Sequence, residues 1–270
     1  MTLELPNLNV KALMPAGVFM TDDHRYYFNG HGPNVSVTTV LDIMSKPALI
    51  TWKAQEAARA MYRDLPDLRK MTEQDAVNWA VKEADKARDT AARIGSGVHL
   101  LADMASRASE SDSKGFGVSE QEEPYLDAFT DFLGRYSASS IVSSEKAVWS
   151  ENGYAGTYDL LMLINDELWL IDIKTSKGYY PEYGLQLAGY RWADAIVLPN
   201  DPRVYPMPQI QRTGVLHLRP DQYPDTGWRL VEYPTDYKAD FIPFLGLLEA
   251  WKWRNEGRFT KSRLSKAQTP

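Results

Sequence analysis

The stretch Gly156-Thr157-Tyr158-Asp159-Leu160-Leu161-Met162-Leu163-Ile164, then Asn165-Asp166, then Glu167-Leu168-Trp169-Leu170-Ile171-Asp172-Ile173-Lys174 decides the fold. Two apolar runs flank a pair of turn formers, the pattern of a β-hairpin with a two-residue loop. That loop pairs Ile164 with Glu167 and, counting back, sets Asp159 opposite Asp172. Like charges facing each other on neighbouring strands repel. A divalent cation between them turns the repulsion into a ligand pair. Strand alternation puts Asp172 and Lys174 on one face. The neighbours are too apolar for an exposed strand, so two carboxylates and a lysine stand inside a sheet, where they need a purpose.

The 270 residues, 44% of them hydrophobic, can bury a full core as one large domain or one domain with a substantial insertion. Without cysteine there is no disulfide framework and no thiolate metal site. No run reaches transmembrane length, and Met1-Thr2-Leu3-Glu4-Leu5-Pro6 lacks a charged-then-apolar leader, so the expectation is a soluble, cytoplasmic protein with no membrane partner. The net charge of −6 is uneven. Lys252, Arg254, Arg258, Lys261, Arg263 and Lys266 face Glu256 alone, giving the last twenty residues +5 and the rest −11. This disfavours indiscriminate nucleic-acid binding but permits a local phosphate contact or a protein partner. No Gly-x-x-x-x-Gly-Lys-Ser/Thr loop occurs, which excludes a nucleotide-driven motor, and no Gly-x-Ser-x-Gly elbow occurs either.

Residues 1–35 read as an irregular or hairpin arm, with a turn-prone Asn29-Gly30-His31-Gly32-Pro33-Asn34. Residues 36–140 read as a helical subdomain. A helix starts at Ser36, a second runs from Ala48 to Tyr62, a third from Gln74 to Thr90, a fourth from Gly97 to Ala108, and a fifth from Glu123 to Tyr136. Ser109 to Ser119 reads as a flexible loop. From Ile141 the period becomes two. Strands are expected over Ile141–Trp149, Tyr154–Ile164, Glu167–Lys174, Thr213–Leu218 and Trp228–Tyr233, with helices over Glu182–Ile196 and Tyr237–Trp253. The core therefore spans 141–256 and a basic tail 257–270. The class is α/β: a mixed sheet flanked by helices, plus the N-terminal helical subdomain.

Several side chains join the aspartate pair. His99 follows Gly95-Ser96-Gly97, in the first turn of its helix on this reading, and imidazole beside carboxylates is a plausible extra metal ligand. Glu145, on the strand before Asp159, suits a ligand, a partner for Lys174 or a surface glutamate. Gln186 and Tyr190 share one helix face and suit phosphate contacts or packing against the sheet. Asp22-Asp23-His24 sits in a turn-rich arm and reads as solvated.

In order and spacing these pieces resemble the PD-(D/E)XK nuclease superfamily. Asp159 and Asp172-Ile173-Lys174 match its signature, with aspartate in the variable acidic position. Gly97-Val98-His99, Glu145, Gly156, Lys174-Thr175-Ser176 and Gln186-Leu187-Ala188-Gly189-Tyr190 are similar to the RecB-type exonucleases. Ser36-Val37-Thr38-Thr39-Val40-Leu41 and Lys46-Pro47-Ala48-Leu49-Ile50-Thr51-Trp52 look like phage-encoded members and the mitochondrial genome maintenance exonuclease. The chain lacks the cluster cysteines of the CRISPR-adaptation relatives and the motor of the helicase–nuclease fusions.

The resemblance implies a restriction-endonuclease-like core and metal-dependent hydrolysis of DNA, as an exonuclease preferring single-stranded ends. Asp159, Asp172, the backbone carbonyl of Ile173, His99 and Glu145 would hold Mg²⁺ or Mn²⁺. Lys174 would position the attacking water. Gln186, Tyr190, Ser36 and Trp52 would contact the strand, Trp52 by stacking on a base or simply by packing. The competing expectation is a non-catalytic DNA-binding or partner-binding subunit of a recombination or DNA-modification assembly.

Overall fold

Asn165 and Asp166 are both left-handed, at φ 51° and 64°, the backbone that a two-residue hairpin turn demands of its central pair. The strands they join are part of a ten-stranded mixed sheet. The computed structural model describes residues 18–20, 25–28, 31–107, 119–137, 140–197 and 204–256. Most of the arm, Asp22-Asp23-His24, nearly all of the Ser109–Ser119 loop and the basic tail 257–270 lie outside them.

In chain order come β1 (Val18–Met20), β2 (Arg25–Phe28) and β3 (His31–Ser36), then α1 (Val37–Leu41), α2 (Pro47–Arg63), α3 (Leu65–Leu68), α4 (Glu73–Arg107) and α5 (Glu123–Tyr136). The second half holds β4 (Ile141–Ser150), β5 (Tyr154–Ile164), β6 (Glu167–Lys174), α6 (Glu182–Arg191), β7 (Ala195–Val197), β8 (Val204–Pro206), β9 (Arg212–Leu218) and β10 (Trp228–Glu232). A π-helical turn, Tyr237–Phe241, leads into α7 (Ile242–Glu256). The mixed sheet with helices agrees with the α/β expectation. Among the described residues no helix is long and apolar enough to cross a membrane.

Helices cover both faces of the sheet. Under α1, α6 and α7 lie Val37, Tyr154, Tyr158, Leu161, Leu170, Leu187 and Phe244. Under α4 and α5 lie Val98, Phe129, Phe132, Leu160, Met162, Ile171, Ile173 and Leu216. With both faces buried, the central strands are apolar nearly throughout, as the hairpin sequence requires.

Four expectations are corrected. Residues from His31 to Asn34 begin a strand rather than a turn, because they pair antiparallel with β2 while Val35 and Ser36 dock parallel on Tyr154 and Ala155. The two helices expected over Gln74–Thr90 and Gly97–Ala108 are one 35-residue helix running through Gly95-Ser96-Gly97. Each interior glycine costs about 1 kcal/mol against alanine, and tertiary packing outweighs that. At Gly97 the bare backbone faces the end of the Glu122 side chain, to which a Cβ would come within 2.0 Å at Oε1. The helix expected to reach Ile196 stops at Arg191, and Ala195–Val197 instead takes the free edge of β4. The final helix opens as a π turn capped by Asp236, whose carboxylate accepts from the amides of Lys238 and Ala239.

Candidate metal centre

β5 shares one of its edges between two partners. β3 pairs with its first residues, Tyr154 and Ala155, and β6 with its last, from Leu160 to Ile164, while β4 runs along the other edge. The residues between, Gly156 to Asp159, line the fork. Here the alternation of β5 also slips. Tyr158 belongs to the core under α6 and α7, yet Leu160, two residues on, belongs to the core under α4 and α5. Across the ladder Ser144 pairs with Leu160 and Lys146 with Tyr158, but the residue between, Glu145, is left-handed at φ 47°. For a non-glycine residue in a strand that conformation is a genuine departure. Glu145 and Asp159 thus stand side by side at one irregular position.

A cavity of about 560 Å³ opens at this fork. Its walls include His99, Glu145, Asp159, Asp172, Lys174, Gln186 and Tyr190, together with Ser36. Ligand atoms of His99, Glu145 and Asp159 all lie within 4.8 Å of one another. His99 Nδ1 is 3.3 Å from Asp159 Oδ1 and 3.9 Å from Glu145 Oε1. Asp172, only 2% exposed, has the Lys174 ammonium 2.6 Å from Oδ2 and accepts a 2.8 Å hydrogen bond at Oδ1 from Gln186 Nε2. Oδ2 is itself buried, and its close neighbour is that ammonium.

Gln186 therefore orients a carboxylate, where the sequence suggested a phosphate contact or simple packing. Its Nε2 also donates to Tyr190 Oη at 3.3 Å. Tyr190 lies over Gly156: a Cβ there would be 2.6 Å from Tyr190 Cε1. Only glycine lets the ring reach the fork. Ile173 meets the site through its amide, which donates to Asp159 Oδ2 at 2.6 Å. Ser36 caps α1, accepting from Thr39 N at 3.0 Å. Trp52, half-buried on α2, is not among the residues lining the cavity. His99 is in the interior of α4, not in a first turn.

The charges are strongly coupled. Burial would lower the His99 pKa, but Asp159, and with it Glu145, overrides this and holds it up at about 10. Burial works against ionised Asp159, and His99, Lys174 and the Ile173 amide together keep its pKa below the usual carboxylate range. Burial raises Glu145, only partly opposed by His99. Asp172 is pushed up to about 6 by burial, against the pull of Lys174. Lys174 is buried too, which would lower it, but Asp172 and Asp159 hold it above its ordinary value. In the metal-free protein the His99 imidazolium and the Lys174 ammonium thus share the balancing of the carboxylates.

The residues fit a divalent cation. Imidazole and carboxylates converge within coordination reach, and a neighbouring amide fixes an acid's orientation. Sequence reasoning missed other groups in the cavity wall: Tyr26, Thr38, Ser96, Leu100, Asp103 and Thr157. Asp103 was findable, since it follows His99 by one helical turn; the left-handed backbone of Glu145 has no sequence signal. No protein-family model matches the chain, and no curated protein matches it.

Proposed function

We propose that the chain is a metal-dependent deoxyribonuclease with a PD-(D/E)XK-type core, cutting from free DNA ends with a preference for single strands. One observation carries the reading: Asp159, Asp172 and Lys174 line one cavity with His99 and Glu145, at a fork in the sheet. His99, Glu145, Asp159, Asp172 and the backbone carbonyl of Ile173 are the proposed ligands of Mg²⁺ or Mn²⁺. Such an ion would lower the pKa of a bound water and neutralise charge on the scissile phosphate.

The chain's own groups do the rest. Lys174 stays an ammonium, so it orients the attacking water and offsets negative charge rather than taking a proton. Gln186 holds Asp172 in one rotamer through its 2.8 Å bond. Tyr190 is a buried phenol held well above its usual pKa, and therefore a neutral hydrogen-bond donor. Ser36 lines the cavity with its hydroxyl engaged in the α1 cap, and its proposed contact with the strand would have to draw on that hydroxyl.

The test is a time course on end-labelled linear and on circular DNA, single- and double-stranded, with Mg²⁺, Mn²⁺ or chelator. Loss of label from linear single strands, blocked by chelator, is expected. Equal cutting of circles would replace the exonuclease by an endonuclease. Binding without any cutting would move the protein to the non-catalytic class.

A further inference from the structure

We propose that Asp103 is a positioning residue for the metal centre, a latch that holds His99 and Glu145 in register across two elements. The inference rests on the metal-site reading above. Asp103 lies one turn beyond His99 on α4, and the buried hydroxyl of Ser144 donates to its Oδ1 at 2.6 Å. Ser144 immediately precedes Glu145, whose φ is 47°. This hydrogen bond joins the helix that carries the imidazole to the strand residue beside the left-handed carboxylate.

Left-handed backbone at a non-glycine residue costs roughly 1–3 kcal/mol and persists only where the surroundings over-determine it. Released from the latch, Glu145 is free to relax to extended backbone. Its carboxylate then leaves the His99–Asp159 side of the strand, because extended residues alternate faces. Asp103 acts through Ser144, so what it must supply is an acceptor oxygen, not a charge. Positioning partners of this kind are worth about 10- to 100-fold in metal affinity.

The experiment is calorimetric titration of the full chain with Mn²⁺ alone, alongside a thermal melt of each variant. Wild type is expected to bind, and Asp159→Ala to lose binding. Asp103→Ala should weaken Mn²⁺ at least about tenfold, and Ser144→Ala by a similar factor, with the double variant no worse than either. Asp103→Asn keeps the acceptor and should stay within about threefold of wild type, on the scale of that same partner effect. Asp103→Ala binding as tightly as wild type would overturn the latch. Equal losses for Asn and Ala would overturn it too, making Asp103 a charge or a ligand. Failure of wild type itself to bind Mn²⁺ would sink the metal-site reading, and the latch with it. If Asp103→Ala does not fold, Ser144→Ala and Asp103→Asn decide between these outcomes.

Discussion

Asp159 accepts the backbone amide of Ile173 at 2.6 Å just where the ladder between their strands stops, at Leu160 and Ile171. The carboxylate stands in for the next ladder carbonyl. One oxygen, Oδ2, is thereby committed to the sheet, and the other, Oδ1, is left facing His99. The orientation of this acid is set by backbone rather than by a mobile neighbour.

Asp159→Asn retains a carbonyl for the Ile173 amide but loses the charge. The expected outcome is a folded protein whose metal-dependent cutting drops by about a thousandfold or more, the scale of losing a preorganised electrostatic group. End-labelled DNA assays with a parallel melting curve check it. Activity near wild type would remove Asp159 from the site.

Asp172 gives a pH signature in the metal-free protein. Its folded pKa, about 6, lies above the ordinary carboxylate value. The stability it contributes is therefore fully present below pH 4 and is lost as pH rises through 6, on the order of 3 kcal/mol. Asp172→Asn should flatten that slope while abolishing cutting. Urea titrations from pH 4 to 8 under chelation would show parallel curves for both proteins if the assignment is wrong.

Lys174→Ala is expected to lower kcat by about a hundredfold or more while leaving Mn²⁺ affinity equal to or tighter than wild type, since an ammonium competes with a cation. Lost metal affinity with turnover intact would reverse its role.

As the proposed ligand, His99 would have to release a proton for the metal to bind. Because Asp159 holds the imidazolium to about pH 10, Mn²⁺ affinity should keep climbing between pH 7 and 9, well above the ordinary histidine range. Calorimetry in buffers of different ionisation enthalpy should report about one proton released per ion at pH 8. By the same sign, the contribution of His99 to metal-free stability is complete below pH 6.5 and fades as pH approaches 10. His99→Gln should abolish the pH slope. A slope that survives would place the released proton elsewhere.

Gly156→Ala drives a methyl to within 2.6 Å of Tyr190 Cε1. The expected cost is about 1–3 kcal/mol, the usual range for overpacking, recovered in part by Tyr190→Leu. Denaturation midpoints of the single and double variants test the pair.

The hairpin was legible because turn chemistry and alternation are local properties, and its register follows from Asn165-Asp166 alone. That brought Asp159, Asp172 and Lys174 within sight of each other. The strand Ala195–Val197 was not legible, since three apolar residues after a helix look like more helix until β4 offers an edge. The unity of α4 was hidden by Gly95 and Gly97, which read locally as a break between two helices. Gln186 could be placed beside the site, but its hydrogen bond to Asp172 depends on how α6 is seated on the sheet. The slip at Asp159 belongs to two strands together and is written in neither.

The forked edge of β5 also sets an order of assembly. Its pairing with β6 closes a loop of two residues, whereas Val35 reaches Tyr154 only after the whole helical region has been crossed. Short loops close quickly and distant parallel pairs slowly. During refolding the two aspartates therefore meet first, inside a half-built wall, and the imidazole arrives with α4 afterwards. Until then the hairpin sets two carboxylates against the single ammonium of Lys174, so dissolved divalent cations are in a position to hasten the final stage of folding.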